Sequence, residues 1–398
     1  MKNRNYIPFL ALILLFSCQK NNSNNSGNAT ESQNQEEKNM RNNILHVDAN
    51  TRYPQKDIQL EDIADVELIP IETTNDFLVD GRGKIITVTE KYIIFSNGRE
   101  GSLLIYNRQG KSLHIINHKG QGGEEYSRIS GAIFDETKEE LYINDMIKKK
   151  IFIYDIKGNY KRSFPHLTER QYSSMSLFND TTLICYDIKY DDNNEYDDKN
   201  FFILISNKDG RKIKEIEIPY AKRTTLTITE KTPEGSVSIG RPIFPILKYG
   251  QFFLLTDVAS NSVYLLSQKG DISPFMTRSP AIESMNPPKF IIPNLITDKY
   301  FHMWNFLKEW NWNTNEGFPG FNLLYDRDER KIYEFAAMAF HDLNFTIQRD
   351  CFLEKNTYAA TIEAPELIEK KAKLPAYLKE LASNLEDDDN PVLMIIKF

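Results

Sequence analysis

Apolar and polar positions along the chain form short segments with the spacing of β-strands, separated by polar turns. The segment Leu141–Lys161 shows the pattern most clearly, with two apolar strands, a polar connection between them and a turn that contains Gly158. Runs rich in Ile, Tyr and Phe favour strands over helices. The pattern therefore predicts an all-β fold built from a repeated strand–turn–strand unit.

The repeated unit has a period that the turns reveal. Turn glycines stand at Gly110, Gly158, Gly210 and Gly270, so the gaps between them are 48, 52 and 60 residues, and the turn at Glu329 follows 59 residues later. A period of this size with about four short strands per unit is typical of the blades of a β-propeller. Glycine suits these turns because a tight turn there requires a positive φ.

The C-terminal part of the chain predicts how a ring of blades closes. Lys370–Leu385 carries apolar residues three and four positions apart and predicts an amphipathic helix, with Pro375 in its first turn. An acidic run and the apolar segment Val392–Phe398 follow this helix. We predict that this last strand joins a blade that also holds N-terminal strand material, which leaves no free sheet edge.

The first residues of the chain have the pattern of a targeting segment. Lys2 and Arg4 precede the apolar stretch Ile7–Phe16, which is too short to span a bilayer. The stretch runs into a Leu-Phe-Ser-Cys sequence that ends at Cys18 and resembles a bacterial lipobox. The resemblance implies a lipoprotein signal peptide over residues 1–18 and a membrane anchor formed by lipid on Cys18. An ordinary secretory signal cut nearby is the alternative.

Residues 19–43 are rich in Asn, Ser, Gln and Glu and show no hydrophobic period. Such a segment cannot bury enough apolar surface to fold, so it predicts a disordered tether in front of a propeller over residues 44–398. The residues directly after Cys18, Gln19–Asn22, are not acidic, whereas the surface-export signals of such lipoproteins are. We therefore predict a cell-envelope lipoprotein that faces the periplasm rather than the outer surface.

The net charge limits the classes of partner that the protein can bind, and the cysteine content limits the disulfides that it can form. The net charge of −7 argues against a nucleic-acid partner, which would require a basic face. After Cys18 the chain contains only Cys185 and Cys351, each in an apolar run. An exported location permits a disulfide between them, but their distance in a repeat array favours two buried thiols.

Three motifs in order resemble a known family. The sequence GQGGEEY at Gly120–Tyr126 resembles the Gly-x-Gly-Pro-Gly-Glu-Tyr/Phe signature of NHL-like propellers, from which it departs where Pro and the last Gly are expected. Leu60–Thr74 resembles the opening of the six-bladed β-propeller lipoproteins of Bacteroidota, and Asp389–Leu393 resembles their closing motif. The resemblance covers roughly Ile58–Phe398 and implies six blades, but it implies little about function.

All three tryptophans of the chain lie in one stretch, from Trp304 to Asn313. Indole faces supply stacking area and neighbouring amides supply directional hydrogen bonds, so the stretch suits recognition of a sugar or a peptide. The candidate ligand-binding residues are Trp304, Trp310, Trp312 and Asn311. A long loop that packs its own rings on the rim of a blade is the alternative.

Two classes of function stay open. The chain has no HExxH motif, no GxSxG elbow and no metal-type Cys/His spacing, and its glycine-rich loop lacks the Lys-Ser/Thr of a phosphate loop. These features favour a lipid-anchored, non-catalytic propeller without a cofactor, which binds a glycan, a peptide or an envelope protein through loops around its channel.

The resemblance to NHL-like propellers implies the alternative, because these include lyases and hydrolases with a metal in the central channel. Asp145, Asp257 and His302 are the candidate ligands for calcium or a transition metal. The acidic insertion Asp187–Asp198 lacks the glycine of an EF-hand loop. It is predicted to be a solvated loop, with a weak calcium site as the alternative.

Overall fold

The computed structural model shows successive antiparallel sheets at the positions of the repeated apolar segments. The predicted signal peptide with Cys18 lies outside the described residues, as do most of the predicted tether (19–43) and the acidic insertion from residue 189 onward. Residues 43–398 form the compact unit considered below. The structure describes residues 38, 40, 41, 43–81, 83–167, 171–188, 202–233, 235–241, 243–349, 351 and 353–398.

The strands are short, and the described residues up to Gly240 form seventeen of them. They are β1 (Leu45–Asp48), β2 (Ile58–Gln59), β3 (Asp65–Pro70), β4 (Lys84–Val88), β5 (Tyr92–Asn97), β6 (Ser102–Asn107), β7 (Ser112–Asn117), β8 (Gly131–Asp135), β9 (Glu140–Asp145), β10 (Lys150–Asp155), β11 (Tyr160–Pro165), β12 (Gln171–Asn179), β13 (Thr182–Ile188), β14 (Phe202–Ser206), β15 (Lys212–Ile216), β16 (Thr227–Thr232) and β17 (Gly235–Gly240).

The described residues from Ile246 onward continue the series and add two short helices. The strands are β18 (Ile246–Tyr249), β19 (Phe252–Leu255), β20 (Ser262–Leu266), β21 (Ile272–Ser279), β22 (Lys289–Ile296), β23 (Tyr300–Leu307), β24 (Trp310–Asn311), β25 (Glu316–Gly317), β26 (Gly320–Asp326), β27 (Lys331–Phe335), β28 (Met338–Ala339), β29 (Thr346–Gln348), β30 (Thr357–Ile362) and β31 (Val392–Lys397). The helices are α1 (Ala364–Lys370) and α2 (Ala376–Ala382).

Six blades follow one another along the chain, which confirms the predicted six-bladed β-propeller. The first four are β4–β7, β8–β11, β12–β15 and β18–β21. The fifth consists of β22, β23, β26 and β27, and the sixth has the order β29-β30-β31-β3. The hairpin β16–β17 lies between the third and fourth blades, and the small hairpin β24–β25 is inserted between the second and third strands of the fifth.

The sixth blade closes the ring as predicted. Its outer strand is β3 from the N-terminal part of the folded unit, which pairs antiparallel with β31 from Asp65↔Lys397 to Pro70↔Val392. The strand β1 pairs in parallel with β21 and adds a fifth strand to the fourth blade. Pairing with N-terminal strands covers sheet edges that would otherwise be open to another chain.

The hydrophobic core lies between neighbouring blades. Ile94 and Leu103 of the first blade pack with Ile143 and Phe152 of the second, and all four side chains are fully buried. Every residue of β9 is buried, so this strand meets apolar surface on both faces. Burial on both faces explains why the middle strands read as continuous apolar runs instead of strict alternation.

The predicted turn glycines all have the conformation that their position requires. Their φ angles are 76° at Gly110, 88° at Gly158, 72° at Gly210 and 78° at Gly270. At Gly110 a Cβ atom would lie 2.3 Å from the carbonyl oxygen of Pro70, the last residue of β3. The missing side chain at this turn therefore also allows the closing strand to approach the first blade.

The predicted helix before the last strand is present, but its extent differs from the prediction of one helix over Lys370–Leu385. Helix α1 ends at Lys370, a short 3₁₀ turn follows, and Leu374 is extended with ψ at 156°. Helix α2 begins after Pro375, which precedes its first helical residue. The break has a local cause, because proline lacks an N–H and disfavours helical backbone in the residue before it.

The two remaining cysteines are buried in different places. Cys185 packs in the cluster between the second and third blades, whereas Cys351 packs near Ile69 and Leu393 at the closure of the ring. No disulfide joins these two described residues, which confirms the predicted pair of buried thiols. None of the helices among the described residues has the length and apolarity that a membrane span requires.

Candidate functional site

The tryptophan-rich stretch forms the end of β23 and the small hairpin β24–β25. Trp310 pairs with Gly317, and Asn311 pairs with Glu316. The side-chain oxygen of Asn311 accepts a hydrogen bond from the backbone N–H of Asn313 at 3.0 Å, which holds the tip of the hairpin. Asparagine favours such turns because its side chain can replace a backbone acceptor.

This hairpin borders a cavity of about 1090 Å³. Its other walls are the start of β16, the segment before β22 and the residues that follow β23. The lining contains hydroxyl, amide and charged side chains beside an indole ring: Thr227, Thr229, Asn286, Lys308, Trp310 and Glu316. Burial lowers the pKa of Lys308 below its ordinary value. The cavity thus offers an aromatic surface together with directional polar groups.

Trp310 is held in place by contacts on several sides. Its ring lies 6.1 Å from that of Trp312 and 6.0 Å from that of Phe318, centroid to centroid. A Cβ atom at Gly317 would be 2.2 Å from the indole Cε3, so the backbone of Gly317 packs directly against the ring. Its indole Nε1 is buried without a hydrogen-bond acceptor among the described residues. The indole is therefore a preorganised wall of the cavity.

Trp304 packs against the same buried cluster as Trp310, but its ring has different neighbours. Its side chain projects from β23, where the guanidinium carbon of Arg349 is 4.2 Å and that of Arg241 is 4.8 Å from the ring centroid. Burial lowers the pKa of Arg241. Neither Trp304 nor Trp312 lines the cavity. Of the four predicted ligand-binding residues, the structure brings Trp310 and Asn311 to it.

Two threonines that line this cavity carry no functional signal in the sequence. Thr227 and Thr229 come from β16, which belongs to the connection between the third and fourth blades. The alternating Thr-Ile-Thr pattern at this position does predict a strand. No local signal indicates that this strand lies against an insertion of the fifth blade, because that neighbourhood arises only when the ring is assembled.

Both carboxylate oxygens of Asp145, the first predicted metal ligand, already accept hydrogen bonds from residues of the same chain. Its Oδ2 accepts hydrogen bonds from the backbone N–H and the hydroxyl of Ser127 at 2.6 and 2.7 Å, and its Oδ1 accepts from the backbone of Ile147 and Lys148. Burial raises the pKa of Asp145, but the donors of Lys148 and Ser127 outweigh it and hold the pKa below its ordinary value.

The other two predicted metal ligands also have partners within the protein. Asp257 forms an ion pair with Arg223, whose Nη1 is 3.0 Å from Oδ2. His302 lies between Asn294, 2.7 Å from Nδ1, and Asn322, 3.2 Å from Nε2. Burial lowers the pKa of His302 to about 3, so the ring is neutral at pH 7.

The three predicted metal ligands do not come together. Asp145 ends β9 in the second blade, Asp257 follows β19 in the fourth, and His302 lies on β23 in the fifth. Within the described ranges, no group of three or more His, Cys, Asp or Glu side chains is arranged to hold a metal ion.

The glycine-rich motif connects β7 of the first blade to β8 of the second. The Lys148 ammonium donates hydrogen bonds to the carbonyl oxygens of Gly120, Gly122 and Glu125 at 3.1, 3.2 and 2.7 Å. The hydroxyl of Tyr154 donates to the carbonyl of Glu124. The loop therefore wraps around a lysine of the second blade, and its carbonyl groups are occupied by that lysine.

Comparison with known proteins adds a family and a fold. A family model described as "Domain of unknown function (DUF4934)" matches residues 42–397. No curated protein matches the chain. Among solved structures, a protein of Bacteroides fragilis assigned as exported is similar with a TM-score of 0.64 at 15% identity, and the match covers 89% of this chain and 99% of that one.

Two further solved structures are similar at a lower level. A member of the DUF4221 family from Bacteroides vulgatus has a TM-score of 0.43 at 11% identity, over 84% of this chain and 98% of that one. A virginiamycin B lyase from Staphylococcus aureus has a TM-score of 0.38 at 12% identity, over 84% of this chain and 100% of that one. At such identities the likeness concerns the fold alone.

Proposed function

The chain belongs to the DUF4934 family of domains of unknown function, and we propose that it is a lipid-anchored envelope β-propeller that binds a glycan in the cavity beside Trp310. The binding is non-catalytic. The lipid on Cys18 holds the protein at the membrane, and the segment over residues 19–43 lets the propeller reach its ligand.

One observation carries the choice of a glycan. Trp310 and the polar side chains of Thr227, Thr229 and Asn286 line the same cavity. A sugar ring presents a flat C–H face, which packs on an indole, and a rim of hydroxyl groups, which exchange hydrogen bonds with hydroxyl and amide groups. A volume of about 1090 Å³ is slightly larger than the usual pocket for a drug-sized ligand and suits an oligosaccharide.

The preorganisation of the wall supports the same proposal. Trp312, Phe318 and the backbone of Gly317 hold the indole of Trp310 before any ligand arrives. A fixed ring loses little conformational entropy on binding, so more of the stacking free energy appears as affinity.

Replacement of Trp310 by alanine is expected to weaken glycan binding by about tenfold to a hundredfold, because the loss of a stacked aromatic surface costs about 1.4 to 3 kcal/mol. The soluble protein, residues 44–398, is first screened on an array of oligosaccharides and peptides. The affinity of the best ligand is then measured by titration calorimetry for the unmodified protein and for Trp310→Ala.

Trp304→Phe is the matched control, since this tryptophan lies outside the cavity and phenylalanine keeps its contact with the arginines. It should bind like the unmodified protein. Equal affinity of Trp310→Ala for the glycan would place the ligand elsewhere. If a peptide binds and no sugar does, and if Trp310→Ala weakens peptide binding by the same factor, the ligand of this cavity is a peptide and not a glycan.

Replacement of Cys18 by serine is expected to abolish lipid attachment, because the thioether requires the sulfur of this cysteine. Cells that express the full chain are labelled with radioactive palmitate, and the label in the purified protein is counted. The serine variant should carry no label and should leave the membrane fraction. Undiminished label in Cys18→Ser, or no label in the unmodified protein, would contradict the anchor.

A further inference from the structure

A second cavity, of about 790 Å³, is lined mainly by residues of the first two blades, together with Gln171 at the start of the third. Its walls come from the start of β4, the β5–β6 turn, the start of β8 and the β9–β10 turn. The register shows that these segments share one end of the blades, since Lys84 is opposite Ser96 and Gly131 is opposite Asn144. The Trp310 cavity is lined from the same end, because its hairpin follows the end of β23.

The charge of this cavity is opposite to that of the whole protein. Among the described residues that line it, Lys84, Arg99 and Arg128 stand against a single carboxylate, Asp80, whereas the chain as a whole carries a net charge of −7. The guanidinium groups of Arg99 and Arg128 have no hydrogen-bond or ion-pair partner among the described residues. Two guanidinium groups in one cavity are suited to carboxylates, which they can hold in a bidentate manner.

The remaining lining combines aliphatic side chains with the polar residues Ser96, Ser130 and Gln171. Ile86, Ile129 and Met146 line the cavity, and Ile147 at its edge is 68% exposed, an unusual exposure for a large apolar side chain. None of the described residues that line the cavity is aromatic. The surface therefore lacks the flat rings that favour sugars, and instead combines positive charge with aliphatic contact area.

One residue that lines the cavity is a glycine with empty space beside its Cα atom. Gly131 begins β8, and a Cβ atom built there would have no atom within 4 Å. Its φ is not in the left-handed region, so a larger residue can take its place without backbone strain. This position gives a way to fill the cavity without any change of charge.

We propose that this cavity, which we call the cationic cavity, binds an acidic peptide segment of a protein partner, with Asp or Glu carboxylates on Arg99 and Arg128 and an aliphatic side chain against Ile147. The site is separate from the Trp310 cavity, and its occupant has a different chemistry. Charge complementarity selects the carboxylates, and the aliphatic surface selects a peptide over a uronate.

The test is fluorescence anisotropy of a labelled peptide of alternating Glu and Leu with the soluble propeller, residues 44–398, at low salt. The same peptide with Gln in place of Glu should bind at least about tenfold more weakly, since charge-assisted hydrogen bonds are lost. Added salt should weaken binding of the Glu peptide. Equal binding of the Gln peptide would overturn the proposal.

Two variants locate the binding. The double change Arg99→Gln and Arg128→Gln should raise the Kd of the Glu peptide by at least about tenfold, and Gly131→Leu should do so by filling the cavity. Arg211→Gln, at an exposed turn of the third blade, is the control and should have no effect. Thermal unfolding shows that each variant is folded.

The outcomes separate this proposal from its rivals. Undiminished peptide affinity in both folded variants would place the peptide elsewhere and overturn the site. Binding of an oligogalacturonate in place of the peptide, sensitive to the same variants, would overturn the peptide in favour of an acidic glycan. The Trp310→Ala variant should bind the peptide normally, so failure here and failure of the glycan proposal are distinguishable.

Discussion

Replacement of Asn390 by aspartate is expected to destabilise the folded propeller by about 4 kcal/mol, because it buries a charge that faces two acceptors. Asn390 lies two residues before β31 and is only 3% exposed. Its amide nitrogen donates to the carbonyl oxygens of Glu72 and Phe77 at 2.9 and 2.8 Å. Its amide oxygen accepts from the backbone N–H of Val79 at 2.8 Å.

Asn390 therefore ties the segment between the closing strand β3 and the first blade to the end of the chain. An aspartate has nearly the same shape but no donors, so two carbonyl groups would lose their partner and would instead face a carboxylate. Both groups of the amide are thus used, which gives a physical reason for asparagine at this position.

Urea unfolding of the soluble protein at pH 7, monitored by tyrosine and tryptophan fluorescence, measures the effect on the free energy of unfolding. Asn384→Asp, at an exposed site, is the matched control and should change it by less than about 0.5 kcal/mol. The burial of the new carboxyl should raise its pKa, so the deficit relative to the unmodified protein should shrink as the pH falls toward 4. A deficit near that of the control would show that the amide does not hold the closure.

Replacement of Glu140 by glutamine is expected to cost about 3 kcal/mol at pH 7, since removal of one member of a buried ion pair leaves the other uncompensated. The Glu140 side chain is 6% exposed. Both guanidinium nitrogens of Arg162 donate to its oxygens, at 2.9 and 2.8 Å, and the Tyr142 hydroxyl donates at 2.9 Å. The hydrogen bonds from Arg162 lower the pKa of Glu140 to about 2.

The direction of the pH dependence follows from this pKa. In the unfolded chain the carboxyl titrates near 4.5, so the folded state gains stability above that pH and loses the gain as the pH falls from about 4.5 to about 2. The difference in free energy of unfolding between the unmodified protein and Glu140→Gln should therefore shrink by about half between pH 7 and pH 3.

Urea unfolding at the two pH values measures both effects, and Glu217→Gln at an exposed site serves as the control. If the difference stays constant between pH 7 and pH 3, the pKa of Glu140 is the same in the folded and the unfolded protein, and the prediction is wrong. A cost at pH 7 no larger than that of Glu217→Gln would mean that the ion pair contributes little stability.

The sequence by itself determined the architecture, because the signals for it are local and repeated. Positive φ at Gly110 and its three counterparts, the apolar middle strands and the apolar C-terminal segment each depend on neighbouring residues only. Because the same strand–turn–strand pattern recurs in several blades, the repeats together predict the fold more reliably than any single one does. The prediction of a continuous helix through Pro375 was wrong for a local reason. Proline forces the residue before it, Leu374, into an extended conformation, so the helix cannot run through this position.

Only the tertiary structure decided which residues face a common cavity. Trp304 and Trp310 are six positions apart, yet one packs against arginines beside β23 and the other lines a cavity with Thr227 of a distant connection. Arg99 and Arg128 likewise meet only because the first two blades stack side by side. Each blade supplies one or two side chains to such a site, so the spacing of these residues along the chain does not predict the site. The distances between their side chains are set only when the ring of blades closes.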